Sequence, residues 1–465
     1  VFLEAKYPEL AAGPSEYDQM IMRLGRGHED RHLASLPPAQ RPEYRPGDLA
    51  TGACVTRALV GKGAGVIYQG VLLSDLSGLA GIPDFLIRCG NTYAIRDAKL
   101  AVNLGKHPEI PAQLSLYARA FEDSFGVAPA GTEVALGDGS IAKAEKVEIS
   151  GLLSELVTLK SASAEPDESV GWSKCQECAF FGHCWQEAER RRDPAVIYGV
   201  DQGMRNMLVK MGVDTYDKLI GLPVDELADL QRPWGERLRK VGTTCATEVH
   251  NQVICVISGE VKILRPPEMP PDGPCVWFDI ESDPHDEGLE NKVYLWGCLK
   301  DTRDGRQPEY WGALADEGEE GDRRSWLDFL SHCRQLLDEF GDVPFIHYSP
   351  YEKTWVGKYI ERWGDSGGVA ERVRWLLWDM QRNAVAGHIC LPVPSYGLKA
   401  VEKCAGFKRT QGDYGGLWSI VRYREWLEAS SDEDRRSIRE QILRYNQEDC
   451  EAMRFVLDWA GRLPR

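Results

Sequence analysis

Stretches whose apolar residues recur at helical spacing alternate along this chain with shorter runs of strand character. Residues 15–36 read as one helix, which carries Gly25, Gly27, His28 and Glu29. Apolar stretches at Gly65–Leu73, Ile82–Arg88 and Thr92–Asp97 read as successive strands, and Pro111–Phe125 as an amphipathic helix. Ser161–Ser169 is small and polar and reads as a loop. From residue 195 to 255 the pattern changes: Met204–Gly212, Thr215–Gly221 and Val224–Leu230 read as short helices broken by Gly and Pro. Arg265–Pro274, with five prolines, reads as a linker. Beyond it, Cys275–Ile280 and Val293–Leu299 read as an adjacent strand pair, Phe345–Tyr348 as a further strand, and Asp432–Ala460 as a long helix. This order predicts a mixed sheet flanked by helices. Three units are expected, at residues 1–194, 195–264 and 265–465, the first and third α/β and the second helical. A length of 465 residues suits that number.

Composition narrows the picture. A 43% apolar fraction suffices for ordinary cores, and the 14 tryptophans belong largely in them. No run of about 18 apolar residues occurs, so no membrane span is predicted, and no signal peptide is visible. The first residue is Val1, so the natural N-terminus is expected to lie upstream. The net charge of −17 argues against a generally basic binding surface. It leaves room for a local one, for which Arg190, Arg191, Arg192 and the arginines of the last hundred residues are candidates. The 13 cysteines are odd in number and mostly single in apolar stretches, which suits a reducing cytoplasm better than a disulfide framework. Cys54, Cys89, Cys298 and Cys390 are expected to be small buried hydrophobes.

Three groups of residues carry chemistry. Cys175, Cys178 and Cys184 follow a C-x2-C-x5-C spacing that core packing does not require. Thiolates this close converge on one iron–sulfur cluster or on one zinc, with His183 as a further zinc ligand. The second group comprises Asp84, then Asp97 and Lys99, which share one strand face because strand side chains alternate. Gln113 and Tyr117, at i and i+4, share a face of the next helix, and His28 precedes them all. Carboxylates and a lysine so placed suit metal-assisted phosphodiester hydrolysis. The third group pairs Asp279 and Glu281, on one face of a hydrophobic strand, with Tyr445 and Asp449 on one face of the last helix. That is the layout of a two-metal site whose water is oriented by a tyrosine.

The ordered set His28, Asp84, Asp97-x-Lys99, Gln113-x3-Tyr117 resembles the RecB-like branch of the PD-(D/E)xK nucleases. The resemblance implies His28, Asp84 and Asp97 as metal ligands and Lys99 as the catalytic lysine, with Gln113 and Tyr117 positioning substrate. Some RecB-like nucleases hold a 4Fe–4S cluster by one leading and three trailing cysteines. Cys175, Cys178 and Cys184 match the trailing three. No cysteine precedes His28, so the fourth ligand is expected upstream of residue 1. The third group resembles the DnaQ-like (DEDD-type) exonucleases of the RNase H-like superfold, which implies Asp279, Glu281 and Asp449 as ligands of Mg2+ or Mn2+ and Tyr445 as the water-orienting group. Glu352 stands where that family has an aspartate, and Asp379 is a second candidate more suited to capping the helix after it. Ser395-Tyr-Gly-Leu-Lys399 resembles a loop that places a lysine near substrate. "KMGVDTYDKLIGLP" resembles half of a helix–hairpin–helix unit. The whole chain resembles RecB-like proteins that fuse these two nuclease domains. The implied function is DNA processing on single strands or 3′ ends in repair, in the cytoplasm, with a helicase as possible partner. A degenerate nucleic-acid-binding adaptor and an RNA-directed nuclease are the alternatives.

Overall fold

The computed structural model describes residues 1–235, 237–284, 292–412 and 415–464. Two compact units emerge. The body of the first is Ser15–Ala164; the second comprises Leu3–Pro14, Glu165–Asp283 and the chain from Lys292 onward.

In the first unit, helix α1 (Glu16–Ser35) starts at a capping box. The Ser15 hydroxyl accepts the Asp18 N–H, and the Asp18 carboxylate accepts the Ser15 N–H at 2.8 Å. Helix α2 (Leu49–Gly61) follows, capped by Asp48. Strands β1 (Val66–Tyr68), β2 (Leu72–Ser74), β3 (Leu79–Gly81), β4 (Phe85–Cys89) and β5 (Thr92–Ala98) lead to helix α3 (Glu109–Phe125). Strands β6 (Gly131–Ala135) and β7 (Ile141–Lys143) and helix α4 (Ser150–Ser161) complete the unit. The main sheet has the order β1-β4-β5-β6-β7. The short turn between β4 and β5 makes them antiparallel; α3 crosses between β5 and β6, which are parallel. Leu86, Ile95, Leu114, Phe121 and Val134 form the core between sheet and α3.

The second unit begins with the cysteine loop and helix α5 (Phe181–Arg190). Helix α6 (Gln202–Lys210), two short helical turns, the hairpin β8 (Gln231–Trp234) and β9 (Arg237–Lys240), and helix α7 (Thr243–Ser258) follow. These share a hydrophobic core of their own, including Met204, Leu208, Leu227, Val249 and Val253. Residues 265–274 have no helix or strand, as the prolines predict.

Past β10 (Lys262–Ile263), strands β11 (Cys275–Asp283), β12 (Lys292–Asp301), β13 (Glu309–Leu314), β14 (Phe345–His347) and β15 (Leu377–Asp379) form a mixed sheet, ordered β13-β12-β11-β14-β15. β11 is antiparallel to β12 and parallel to β14. Helices α8 (Gly318–Phe340), α9 (Pro350–Trp363) and α10 (Val369–Leu376) cover one face, into which Val276, Phe278 and Ile280 point. Helices α11 (Leu398–Ala405) and α13 (Asp432–Arg462), with α12 (Gly416–Glu428) between them in sequence, follow. Cys275 and Trp277 pack with residues of α11 and α13. By the two-residue alternation of a strand, Asp279 and Glu281 continue that second face, toward α13.

Two expectations are corrected. Cys298 and Cys390 are buried, but Cys54 and Cys89 are exposed. Cys54 lies on the outer face of α2, and Cys89 ends β4 where the strand runs out to its turn. Arg190, Arg191 and Arg192 are not a free basic patch. Arg190 meets Glu187 at 2.6 Å, Arg191 meets Glu187 at 3.6 Å, and Arg192 pairs with Asp217. No described helix is long and apolar enough to cross a membrane.

Candidate active site

The carboxylates of Asp279, Glu281 and Asp449 converge, with oxygens all within 4.8 Å of one another. Strand β11 supplies the first two and α13 the third. The helix approaches this closely because β12 opposes Asp279 with Gly297. A Cβ on Gly297 would lie 1.7 Å from the Asn446 Oδ1. Asn446 fills that space. Its Nδ2 donates to Asp279 at 2.6 Å, and its Oδ1 accepts the Tyr310 hydroxyl at 2.8 Å.

Two cations complete the site. The Lys399 Nζ lies 2.9 Å from Asp449 Oδ1, and an Arg409 Nη lies 2.5 Å from the same oxygen. Arg409 also forks onto Glu402, at 2.6 and 2.7 Å, and both side chains of that pair are buried. The Arg409 Nη1 is buried with no hydrogen-bond partner among the described residues. Tyr445 lies one helical turn before Asp449, with Lys399 Nζ 4.6 Å from its ring centroid.

The electrostatics are those of crowded carboxylates. Burial, then Asp449, Glu281 and Glu352, push Asp279 well above the usual carboxylate range, against the pull of Lys399. Burial and Asp449 push Glu281 up to about 8, opposed by Lys399, a hydrogen bond from Asn446, and Arg409. Burial, reinforced by Asp449, keeps the Tyr445 phenol protonated, as a donor. Carboxylates raised in this way call for a proton or a cation among them. An all-oxygen donor set of this kind fits Mg2+ or Mn2+.

Glu352 sits apart from the tight trio. It is buried in the first turn of α9, with its carboxylate 3.2 Å from the His347 Nδ1. Its charge still reaches Asp279. Asp379 accepts the Arg382 N–H at 3.0 Å and so caps the turn after β15. Sequence reasoning missed Asn446, Arg409 and Glu402. Asn446 stands inside the Tyr445–Asp449 motif, whereas nothing local marks Arg409 or Glu402.

In the first unit, the β4–β5 pairing brings the second group together. The Asp84 N–H donates to Asp97 at 3.1 Å, the Ala98 N–H donates to Asp84 at 2.8 Å, and Lys99 Nζ lies 3.1 Å from Asp97. Burial, Asp97 and Glu29 push Asp84 up to about 7, against the Ala98 N–H and Lys99. Gln113 donates to the Tyr117 hydroxyl at 2.8 Å. Burial, then Asp97, push the Tyr117 phenol up to about 12. The Cδ1–Cε1 edge of the Tyr117 ring lies against Gly81, where a Cβ would come 2.5 Å from Cε1. His28 is buried with its Nε2 3.0 Å from the Ala135 carbonyl oxygen, so Nε2 carries the proton and the lone pair is left on Nδ1. His28, Asp84 and Asp97 do not close to the 4.8 Å spacing of the C-terminal trio.

Cys175 ends the short helix Trp172–Cys175, Cys178 lies in the following turn and Cys184 is in α5. Burial, Glu165 and the thiols of Cys178 and Cys175 push the Cys184 thiol up. The three sulfurs do not all lie within 4.8 Å. The Ala12 N–H donates to the Ala179 carbonyl at 2.8 Å, which ties the N-terminal segment to this loop.

No curated protein matches the chain. A family model described as RNase_H superfamily matches residues 276–461, from β11 to the end of α13, and takes in Asp279, Glu281, Asn446 and Asp449. The C-terminal part of this chain is an RNase H-like domain, of the kind that processes nucleic acid.

Proposed function

We propose that this chain is a metal-dependent nuclease that hydrolyses DNA phosphodiester bonds at single strands or 3′ ends in repair-type processing. The observation that carries it is the convergence of Asp279, Glu281 and Asp449 within an RNase H-like domain. Divalent ions held by these residues would supply Lewis acidity and charge neutralisation at the phosphate. The chain's own groups do the rest. Asn446 fixes the Asp279 carboxylate, Lys399 and Arg409 balance the acidic site, and the protonated Tyr445 hydroxyl would orient a water. The Asp84–Asp97–Lys99 network supports a second phosphodiesterase site, in a PD-(D/E)xK-like unit, with His28 as a further metal ligand. Cys175, Cys178 and Cys184 fit three ligands of a 4Fe–4S cluster, which would serve as scaffold.

A second reading has one observation in its favour. Lys399 and Arg409 already neutralise Asp449, as they would in a degenerate site that only binds nucleic acid for a helicase. Release of nucleotides from a labelled strand, in Mn2+ and in chelator, separates the two. The nuclease reading requires metal-dependent release that Asp279→Asn removes in an Asp97→Ala background; binding without release in either condition would favour the adaptor. An RNA strand run in parallel reports polymer preference. For the cluster, protein purified without oxygen should absorb broadly near about 400 nm with about four irons per chain; one zinc and no colour would assign the thiols to zinc.

A further inference from the structure

The β8–β9 hairpin reverses the charge of the chain. Across Gln231–Lys240 the basic residues are Arg232, Arg237, Arg239 and Lys240, against the single acid Glu236, in a protein of net charge −17. Arg232 is buried and paired with Asp201, and Lys240 pairs with Asp229 at 2.6 Å. Arg237 and Arg239 are exposed and make no ion pair among the described residues; Glu236 between the strands lies outside them. Trp234 is 52% exposed, an unusual place for an indole, with the Arg232 and Arg239 guanidinium groups 5.2 and 5.1 Å from its ring centroid.

The hairpin forms one wall of a groove of about 560 Å³. Trp172 and Lys174, just before Cys175, line it, as do Tyr198, Gln202 and Ser395. Tyr198 is 45% exposed and packs on Tyr396 with ring centroids 4.6 Å apart. The Ser395 wall belongs to the loop that opens α11, whose Lys399 reaches Asp449. Aromatic surfaces and Lys174 thus line one groove, Arg239 flanks it through the Trp234 ring with Arg237 on the same strand, and the Ser395 wall leads in sequence to Lys399.

We infer that this groove binds single-stranded nucleic acid and guides it toward the Asp279–Glu281–Asp449 site. Bases stack against Trp234 and Tyr198, while Arg237, Arg239 and Lys174 meet phosphates. Aromatic platforms beside cations are how proteins hold single strands without reading sequence, and a local basic rim is how an acidic protein attracts a polyanion. The guiding role rests on the proposed nuclease reading; the binding role does not.

The test is fluorescence anisotropy in chelator, with a labelled oligodeoxythymidylate about 20 nucleotides long and a duplex competitor. Trp234→Ala should weaken single-strand binding about tenfold. Arg237→Glu with Arg239→Glu should weaken it further and flatten its salt dependence. Both positions are exposed, so the fold should survive. Wild-type affinity in both variants, or equal affinity for duplex, overturns the inference. A second readout is Mn2+-dependent hydrolysis of a nitrophenyl nucleotide ester, too small to need the groove, which Trp234→Ala should leave unchanged. If the wild type fails to cleave that ester while Trp234→Ala still loses binding, the groove stands and the nuclease reading falls.

Discussion

Arg409 is the residue on which the C-terminal site balances. It is buried, forks onto Glu402 and reaches Asp449. Removing one partner of a buried pair strands the other charge, whereas replacing both removes the problem. Arg409→Ala should therefore lower stability by about 3 kcal/mol, read as a fall in the denaturant midpoint. Arg409→Met with Glu402→Leu should recover most of that loss; no recovery would mean that the contact with Asp449 dominates. Glu281 makes a pH prediction. Its carboxyl rises from an ordinary 4.5 to about 8 in the folded, metal-free chain. Between those values the native state keeps a proton that the unfolded chain releases, so this group's contribution to stability falls as pH rises. In chelator, melting from about pH 5 to about pH 8 should show a steeper decline for wild type than for Glu281→Gln. Mn2+ should restore wild type at the upper end. Equal slopes would remove the assigned repulsion.

At the scale of elements, the site depends on how closely α13 approaches the sheet. Gly297 permits it, since a Cβ there would meet Asn446 Oδ1 at 1.7 Å. Gly297→Ala should displace Asn446, free Asp279 from its hydrogen bond, and lower nuclease activity about a hundredfold with a smaller loss of stability. Unchanged activity would show that the helix has slack. These elements differ in how legible they are in the sequence. The β11 strand and α13 are readable because their apolar residues keep periods of 2 and 3.6, and those periods place Asp279, Glu281, Tyr445 and Asp449 on shared faces. The β4–β5 hairpin is readable for the same reason, and with it the Asp84–Asp97 contact. The partners brought in by tertiary packing are not readable. Glu402 and Arg409 lie seven residues apart on either side of a helix end, and their meeting with Asp449 depends on how α11 docks on α13. Gly297 looks like any strand glycine until its neighbour across the sheet is known. Cys54 and Cys89 misled because an apolar neighbourhood in sequence does not say which side of a helix, or which end of a strand, faces the core. The Arg190–Arg192 run misled because Glu187, one turn back on the same helix, meets Arg190 and Arg191, and Asp217, from another element, meets Arg192.

For the whole molecule, the two acidic groups fall in separate compact units, the first in Ser15–Ala164 and the second in the RNase H-like domain. If both are active, Asp97→Ala and Asp279→Ala should each remove a separable activity, distinguished by product lengths on a single-stranded substrate. Loss of all cleavage in either single variant, or no effect in both, would contradict the two-site account. Replacing Cys178 with Ser should act differently. It should lower iron content and thermal stability of the purified protein together, as expected when a cluster is part of the fold rather than of the chemistry.

The most direct measurement of the central claim is nucleotide release from a labelled single strand by wild type, Asp279→Asn and Asp449→Asn, each in Mn2+ and in chelator. To keep the first unit's contribution out of the reading, all three carry Asp97→Ala. The account predicts release in Mn2+ by the parent, none in chelator, and a fall of about a thousandfold in both Asn variants. Release that persists in the Asn variants, or no release by the parent, would contradict it.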